Sequence, residues 1–201
     1  MRSGSDAHAA AKPEKENMMT EREKQLNGDW FDYNDPELKE MRTRCNKLIA
    51  RLNSLDNSRK EDRRAVLKEL FAQAGDNANI KSGFHCDYGC NIYLGNNVFS
   101  NYNCVFLDVG RIEIGDDTLI GPQVGIYTAV HPVDPVERKK GLERAKPVKI
   151  GKNCWIGGNA VINPGVTLGD NVVVGSGAVV TKSFGDNVIL AGVPAKIIGH
   201  C

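Results

Sequence analysis

A repeat of six residues governs more than half of this chain. Ile150, Ile156, Ile162, Leu168, Val174 and Val180 stand six apart, and glycine follows the aliphatic at 151, 157, 169 and 175. Four residues after each aliphatic comes a small or β-branched residue, at Cys154, Ala160, Val166, Val172 and Ala178, until Phe184 ends the series. The same phase runs earlier through Ile114, Ile120 and Ile126, with Thr118 and Val124 in the small slot. It also runs through Ile80, Cys86 and Ile92, with Phe84 and Cys90 in that slot, and from Leu94 with Val98 and Cys104. This period predicts a parallel β-helix, in which short strands stack about 4.8 Å apart and each aliphatic lies over its counterpart in the next coil. One coil cannot bury its own inner face, so the stack is the folding unit. Three hexapeptides per coil give a triangular prism of about five coils over residues 77–185. Cys90, Cys104 and Cys154 all fall in the small slot, which makes them packing residues rather than nucleophiles.

The composition changes at Gly75. Of the charged residues, 29 lie at or before it, whereas 18 of the 21 glycines lie beyond it. Residues 1–17 are rich in Ala, Ser, Lys and Glu and are expected to be disordered, within a tail at 1–19. A helical segment is expected over 20–76 and the β-helix over 77–201. Asp35, a candidate N-cap before Pro36, opens an apolar stripe through Leu38, Met41, Cys45, Leu48, Ile49 and Leu52. Ser58 and Glu61 form a candidate capping box before Val66, Leu67, Leu70 and Phe71, a stripe that stops at Gly75. A helical hairpin is the simplest reading.

One stretch breaks the rhythm. Residues 131–149, HPVDPVERKKGLERAKPVK, carry three prolines, nine charges and no hexad phase, yet Ile126 and Ile150 are 24 apart, four whole hexads. This is a loop leaving one corner of a rigid prism, a common location for function, and His131 stands where it departs.

The chain has 26 basic and 25 acidic residues. That balance argues against nucleic acid or an anionic membrane as partner. No apolar run approaches a membrane span, and the start lacks the apolar core of a secretory signal, so a cytoplasmic location with reduced thiols is expected. There is no Cys-x-x-Cys pair and the four histidines are scattered, so no metal site is expected.

Five segments, DYGCNIYLGNN, FSNYNCVFLD, IYTAVHPVDPVER, IGKNCWIGGNAVINPGVTLGDNVVVGSGAVVTK and AGVPAKIIG, occur in this order. Over residues 20–200 the chain resembles the maltose and galactoside O-acetyltransferase family of hexapeptide-repeat acyltransferases. The resemblance implies a mainly β protein with a left-handed parallel β-helix, an N-terminal α-helical segment, a homotrimer with sites between neighbouring prisms, and acetyl transfer from acetyl-CoA to a sugar hydroxyl. Neither the hand nor the trimer follows from the periodicity.

A sugar hydroxyl is a poor nucleophile, and its attack on a thioester is helped by a base that takes its proton; an unperturbed imidazole titrates near 6.5. His131 is the candidate base. The thioester is already activated, so no acyl-enzyme is required. By resemblance, Asn101 lies near the acetyl group and contacts acceptor or cofactor, Asp87 takes an acceptor-contacting position, and Trp155 lies near the pantetheine path. Asp108 stands beside an acceptor-contacting aspartate position that is Val109 here. Gly158 and Ser176 resemble backbone contacts to CoA, Thr181 and Lys182 match a Val-Thr-Lys turn, and Lys196 takes a basic position suited to a phosphate. In galactoside-type enzymes an aspartate contacts the sugar where this chain has Tyr33, and a carboxylate follows at Asp35, which also reads as an N-cap. GDWFDYNDPEL, FHCDYG and IYTAVHPVDPV lean toward the maltose-type branch. Three other readings are open: a zinc hydratase, an acetyltransferase acting on antibiotics or other small molecules, and a non-catalytic trimeric scaffold.

Overall fold

The computed structural model describes residues 19–201; the disorder expected for 1–17 lies outside the described residues. The hexad produces a parallel β-solenoid of about six turns. Its first face stacks Gln73–Ala74, Ile92–Leu94, Ile112–Ile114, Val148–Ile150 and Thr167–Leu168. The second stacks Asn79–Ile80, Phe99–Ser100, Leu119–Ile120, Trp155–Ile156, Val173–Val174 and Val188–Ala191, and closes with the antiparallel strand Lys196–His200. The third stacks His85–Cys86, Val105–Leu107, Gly125–Tyr127, Val161–Ile162 and Val179–Val180. The parallel stack therefore begins at Gln73, four residues before the expected start, and runs past 185 to Ala191. The six aliphatics from Ile150 to Val180 are at most 1% exposed.

Each coil turns sharply between its faces. At the first corner, between the first and second faces, Asn77, Asn97, Asp117, Asn153, Asn171 and Asn187 all take positive φ. Short Asn and Asp side chains tolerate this left-handed conformation better than other non-glycine residues. Close approach of coils explains the glycine after the aliphatic: a Cβ on Gly115 would lie 2.7 Å from Gly151 C and Lys152 N.

The helical segment plugs the open end of the prism. Helices α1 (Glu21–Asn27), α2 (Pro36–Ser54) and α3 (Lys60–Leu70) precede the first coil. Asp35 caps α2 by accepting from the N–H groups of Glu37 and Leu38. The Ser58 capping box does not form. Asp56 accepts from Ser58 N at 2.8 Å and its carbonyl from Arg59 N, so this turn starts α3 one residue later, at Lys60 with Arg59 as an uncapped N-cap. The capping box lies instead at Thr20 and Glu23 on α1. Leu48, Ile49, Leu52, Val66, Leu67 and Leu70 join the prism core, and the rings of Phe71, Phe84 and Phe106 follow edge to face at 5.7 and 5.1 Å. Arg63, 3% exposed, ties both helices to the first coil by donating to the carbonyls of Leu52, Leu55 and Ile80.

Cys104 and Cys154 are buried in the prism, with thiols 3.2 and 3.3 Å from the carbonyls of Gly121 and Gly169. Burial pushes both thiols up, away from the reactive thiolate. Cys90 corrects the expectation of an inward slot. The backbone at its corner is drawn toward Asp108, and Cys90 packs half-buried against a second cluster of Phe31, Leu38, Tyr88, Val109 and Ala145 outside the prism. Replacing Cys104 or Cys154 with alanine is expected to cost about 1 to 2 kcal/mol of stability. Turnover should stay within a few-fold; chemical denaturation together with initial rates measures the two separately.

Candidate active site

The third corner, between the third and first faces, carries both the long loop and the N-terminal segment. Phe31–Asp32, Leu142–Ala145 and Ala129–Val130 form a small antiparallel sheet in that order, which pins the base of the loop. Between its strands the loop holds one helical turn, α4 (Pro135–Arg138), capped by Asp134. His131 follows directly on the Ala129–Val130 strand, so a sheet and not a free loop sets its position.

Tyr33, Asn34, Arg42, Asp87, Tyr88, Val109, His131 and Glu143 line an open pocket of about 330 Å³. His131 Nδ1 lies 3.3 Å from the carbonyl oxygen of Leu142. A carbonyl can only accept, so this contact favours the proton on Nδ1 and leaves Nε2 with its lone pair. Nε2 lies 3.5 Å from Glu143 Oε1, and the Tyr33 ring meets the imidazole edge to face at 6.2 Å. Burial raises the Glu143 carboxyl, an effect opposed by the charge of His131 and reinforced by that of Asp87. Asp87 is likewise raised by burial, with Arg42 pulling the other way. Arg42 is itself held in place, donating to Tyr88 Oη at 2.6 Å and to the Tyr33 carbonyl at 2.7 Å. The pocket thus joins an imidazole with a free lone pair, a carboxylate beside it, and polar groups suited to hydroxyls.

Of the residues singled out in the sequence, Tyr33, Asp87 and His131 meet here. Asp108 does not reach the pocket. It is fully buried beneath it and accepts from the N–H groups of Asp87, Tyr88 and Asn91 at 3.0, 2.8 and 3.2 Å, so it shapes the corner instead of touching an acceptor. Asp35 is spent on capping α2 and is not in the lining. Arg42, Asn34 and Glu143 were not singled out. Arg42 looks like one more charge on an amphipathic helix, and Glu143 like one of nine in a charged loop.

Burial pushes the Asp108 carboxyl from 3.8 up to about 7, against the pull of its N–H donors. The folded state therefore holds this proton more tightly than the unfolded chain. The stability linked to it is fully present below the ordinary carboxylate range and is lost as pH rises through about 7. Melting temperatures of Asp108→Asn, which has no such proton to lose, should depend less steeply on pH between about 5 and 8 than those of the wild type.

The remaining candidates lie elsewhere on the prism. Asn101, Gly158 and Ser176 occupy the second corner, between the second and third faces; Gly158 and Ser176 are in successive turns, linked by bonds such as Gly177 N to Gly158 O at 2.9 Å, and Asn101 lies two turns before Gly158. Trp155 projects from the second face, 57% exposed, in register with Leu119 and Val173. Thr181 and Lys182 sit at the third corner two turns beyond the loop, and Lys196 opens the last strand. Neither lysine has an ion-pair partner among the described residues. Free cations, an exposed indole and a glycine-bearing edge fit a long, phosphate-bearing thioester. A single chain, however, holds His131 and the Asn101 edge on different corners.

Comparison with known proteins bears on this arrangement. Residues 24–75 match the maltose acetyltransferase hexapeptide capping motif, and 147–182 match the hexapeptide repeat of succinyl-transferase. A maltose O-acetyltransferase from Clostridium difficile 630 is 46% identical, with a TM-score of 0.89 over 92% of this chain and 98% of its own. A galactoside acetyltransferase solved with coenzyme A is 39% identical, with a TM-score of 0.87 over 91% of this chain and 92% of its own. A hexapeptide-repeat acetyltransferase from Vibrio cholerae O1 biovar eltor, solved with acetyl-CoA, is 37% identical, with a TM-score of 0.84 over 90% of this chain and 98% of its own. The shared architecture agrees with a left-handed β-helix.

Proposed function

The chain belongs to the maltose and galactoside O-acetyltransferase family of hexapeptide-repeat proteins, and on that premise we propose that it moves the acetyl group of acetyl-CoA to a sugar hydroxyl with His131 as general base. The observation that carries this reading is the pairing of His131 with Leu142 O through Nδ1 and with Glu143 through Nε2 in one pocket. The acceptor hydroxyl gives its proton to Nε2 as its oxygen attacks the thioester carbonyl, and the carboxylate of Glu143 offsets the charge that forms on the ring; the C–S bond then breaks, and CoA leaves as the thiol by taking that proton back from the imidazolium, which restores the neutral ring. Acetyl-CoA supplies an activated acyl group, so no nucleophilic side chain is needed. Asp87, Tyr33 and Arg42 orient the acceptor hydroxyls, and Asp108 holds the Asp87 backbone in place.

The separation of His131 from the Asn101, Gly158 and Ser176 edge supports a homotrimer in which a second copy completes the site. In such an assembly CoA lies against that edge and Trp155, with Thr181, Lys182 and Lys196 suited to its polar end. A near-attack geometry of donor and acceptor then depends on assembly.

The test is CoA release measured with acetyl-CoA and a panel of glucosyl, maltosyl and galactosyl acceptors, beside serine and antibiotic acceptors. Turnover on a sugar, with the O-acetyl sugar identified by mass, is the expected result. Turnover confined to the non-sugar acceptors would overturn the acceptor class, and no acceptor-dependent release would overturn the activity.

A further inference from the structure

On the far side of the pinned loop strand lies a second cleft, of about 640 Å³, between the end of α1, the third corner and Leu142–Ala145. Alternation along that strand separates the two cavities: Glu143 lines the His131 pocket and its neighbour Arg144 lines this one. Arg111, Arg144 and Lys146 all line the cleft, and no carboxylate does. Only Arg111 is paired, with Glu113, while its guanidinium stacks on Tyr93 at 3.7 Å. Arg144 lies over the Trp30 ring at 5.0 Å, and among the described residues its guanidinium has no hydrogen-bond partner, its Nε being buried. A native structure rarely leaves such a donor group unmatched. Lys146 is likewise without an ion-pair partner among the described residues. Two uncompensated cations facing one cleft match the charge of a phosphate monoester, and a planar guanidinium fork suits phosphate oxygens.

We propose that this cleft binds the phosphate group of a small molecule, held chiefly by Arg144 and Lys146. The phosphate can belong to a separate phosphorylated ligand or to the 3′-phosphate of CoA, and the two sources are experimentally distinct. The full chain is titrated calorimetrically with inorganic phosphate at an ionic strength held constant with chloride. Saturable binding is expected, weakened about tenfold or more in Arg144→Gln and in Lys146→Gln, and less in Arg144→Lys, which keeps the charge without the fork. Lys146 is exposed, so its variant carries the test should Arg144→Gln fold poorly. CoA and dephospho-CoA are then compared on the same proteins. If CoA is the source, wild type prefers CoA and Arg144→Gln loses the preference; if a separate ligand is the source, Arg144→Gln keeps the wild-type ratio. Either result supports the site. Phosphate binding that is absent against chloride, or unchanged in both neutral variants, would overturn it, and because binding is read without turnover the acetyltransferase reading is tested independently.

Discussion

Replacing His131 with alanine is expected to lower kcat by about 10² to 10⁴-fold, the usual contribution of a positioned general base. The affinity for CoA should change little, because the candidate donor contacts at Gly158 and Ser176 lie on a different corner and Lys182 lies two turns further along the stack. The side chain is half-exposed at the mouth of the pocket, so its loss should leave the fold intact. Steady-state rates set beside CoA titrations separate the two effects. A parallel loss of CoA affinity and rate would make His131 a binding group instead of a base.

Glu143→Gln should have the second largest effect. Hydrogen bonds to charged groups are worth roughly 1.5 to 3 kcal/mol, so removing the negative charge beside the imidazolium should lower kcat by about 10 to 100-fold. Glutamine keeps the shape and can still accept a hydrogen bond, which isolates charge from packing. In the wild type, burial raises the Glu143 carboxyl, so it takes up its proton at less acidic pH than an ordinary glutamate. The support it gives the ring is then lost as pH falls through that raised value. The glutamine variant, with nothing to titrate there, should lack this part of the acid-side decline. Initial rates across pH on both proteins measure the difference.

Much of the prism can be read from the sequence because every coil repeats one physical demand. An aliphatic must fill the interior, a small residue must sit where backbones close in, and a left-handed residue must turn the first and second corners. The departures come where that repetition meets something outside it. Cys90 has the right spacing but lies at the corner that Asp108 and the N-terminal segment reshape. Ser58 and Glu61 have the capping-box spacing, but the competing turn at Asp56 claims the chain first. His131 was legible as a lone histidine at a loop base, and Tyr33 and Asp87 through motif position. Glu143 and Arg42 were not, because their partnership with His131 depends on a three-stranded sheet joining segments about a hundred residues apart. Asp108 shows the converse: its motif position suggested contact with the acceptor, whereas only its burial reveals that its oxygens are already taken.

The central claim is that a neutral imidazole at His131 takes the acceptor's proton. Its most direct test is the pH dependence of kcat/KM for acetyl transfer to a sugar, in wild type and in His131→Ala. The wild-type profile should rise with pH as an essential base loses its proton, and the alanine variant should be both slow and without that rising limb. An alanine variant that keeps the limb, or keeps wild-type turnover, would contradict the assignment.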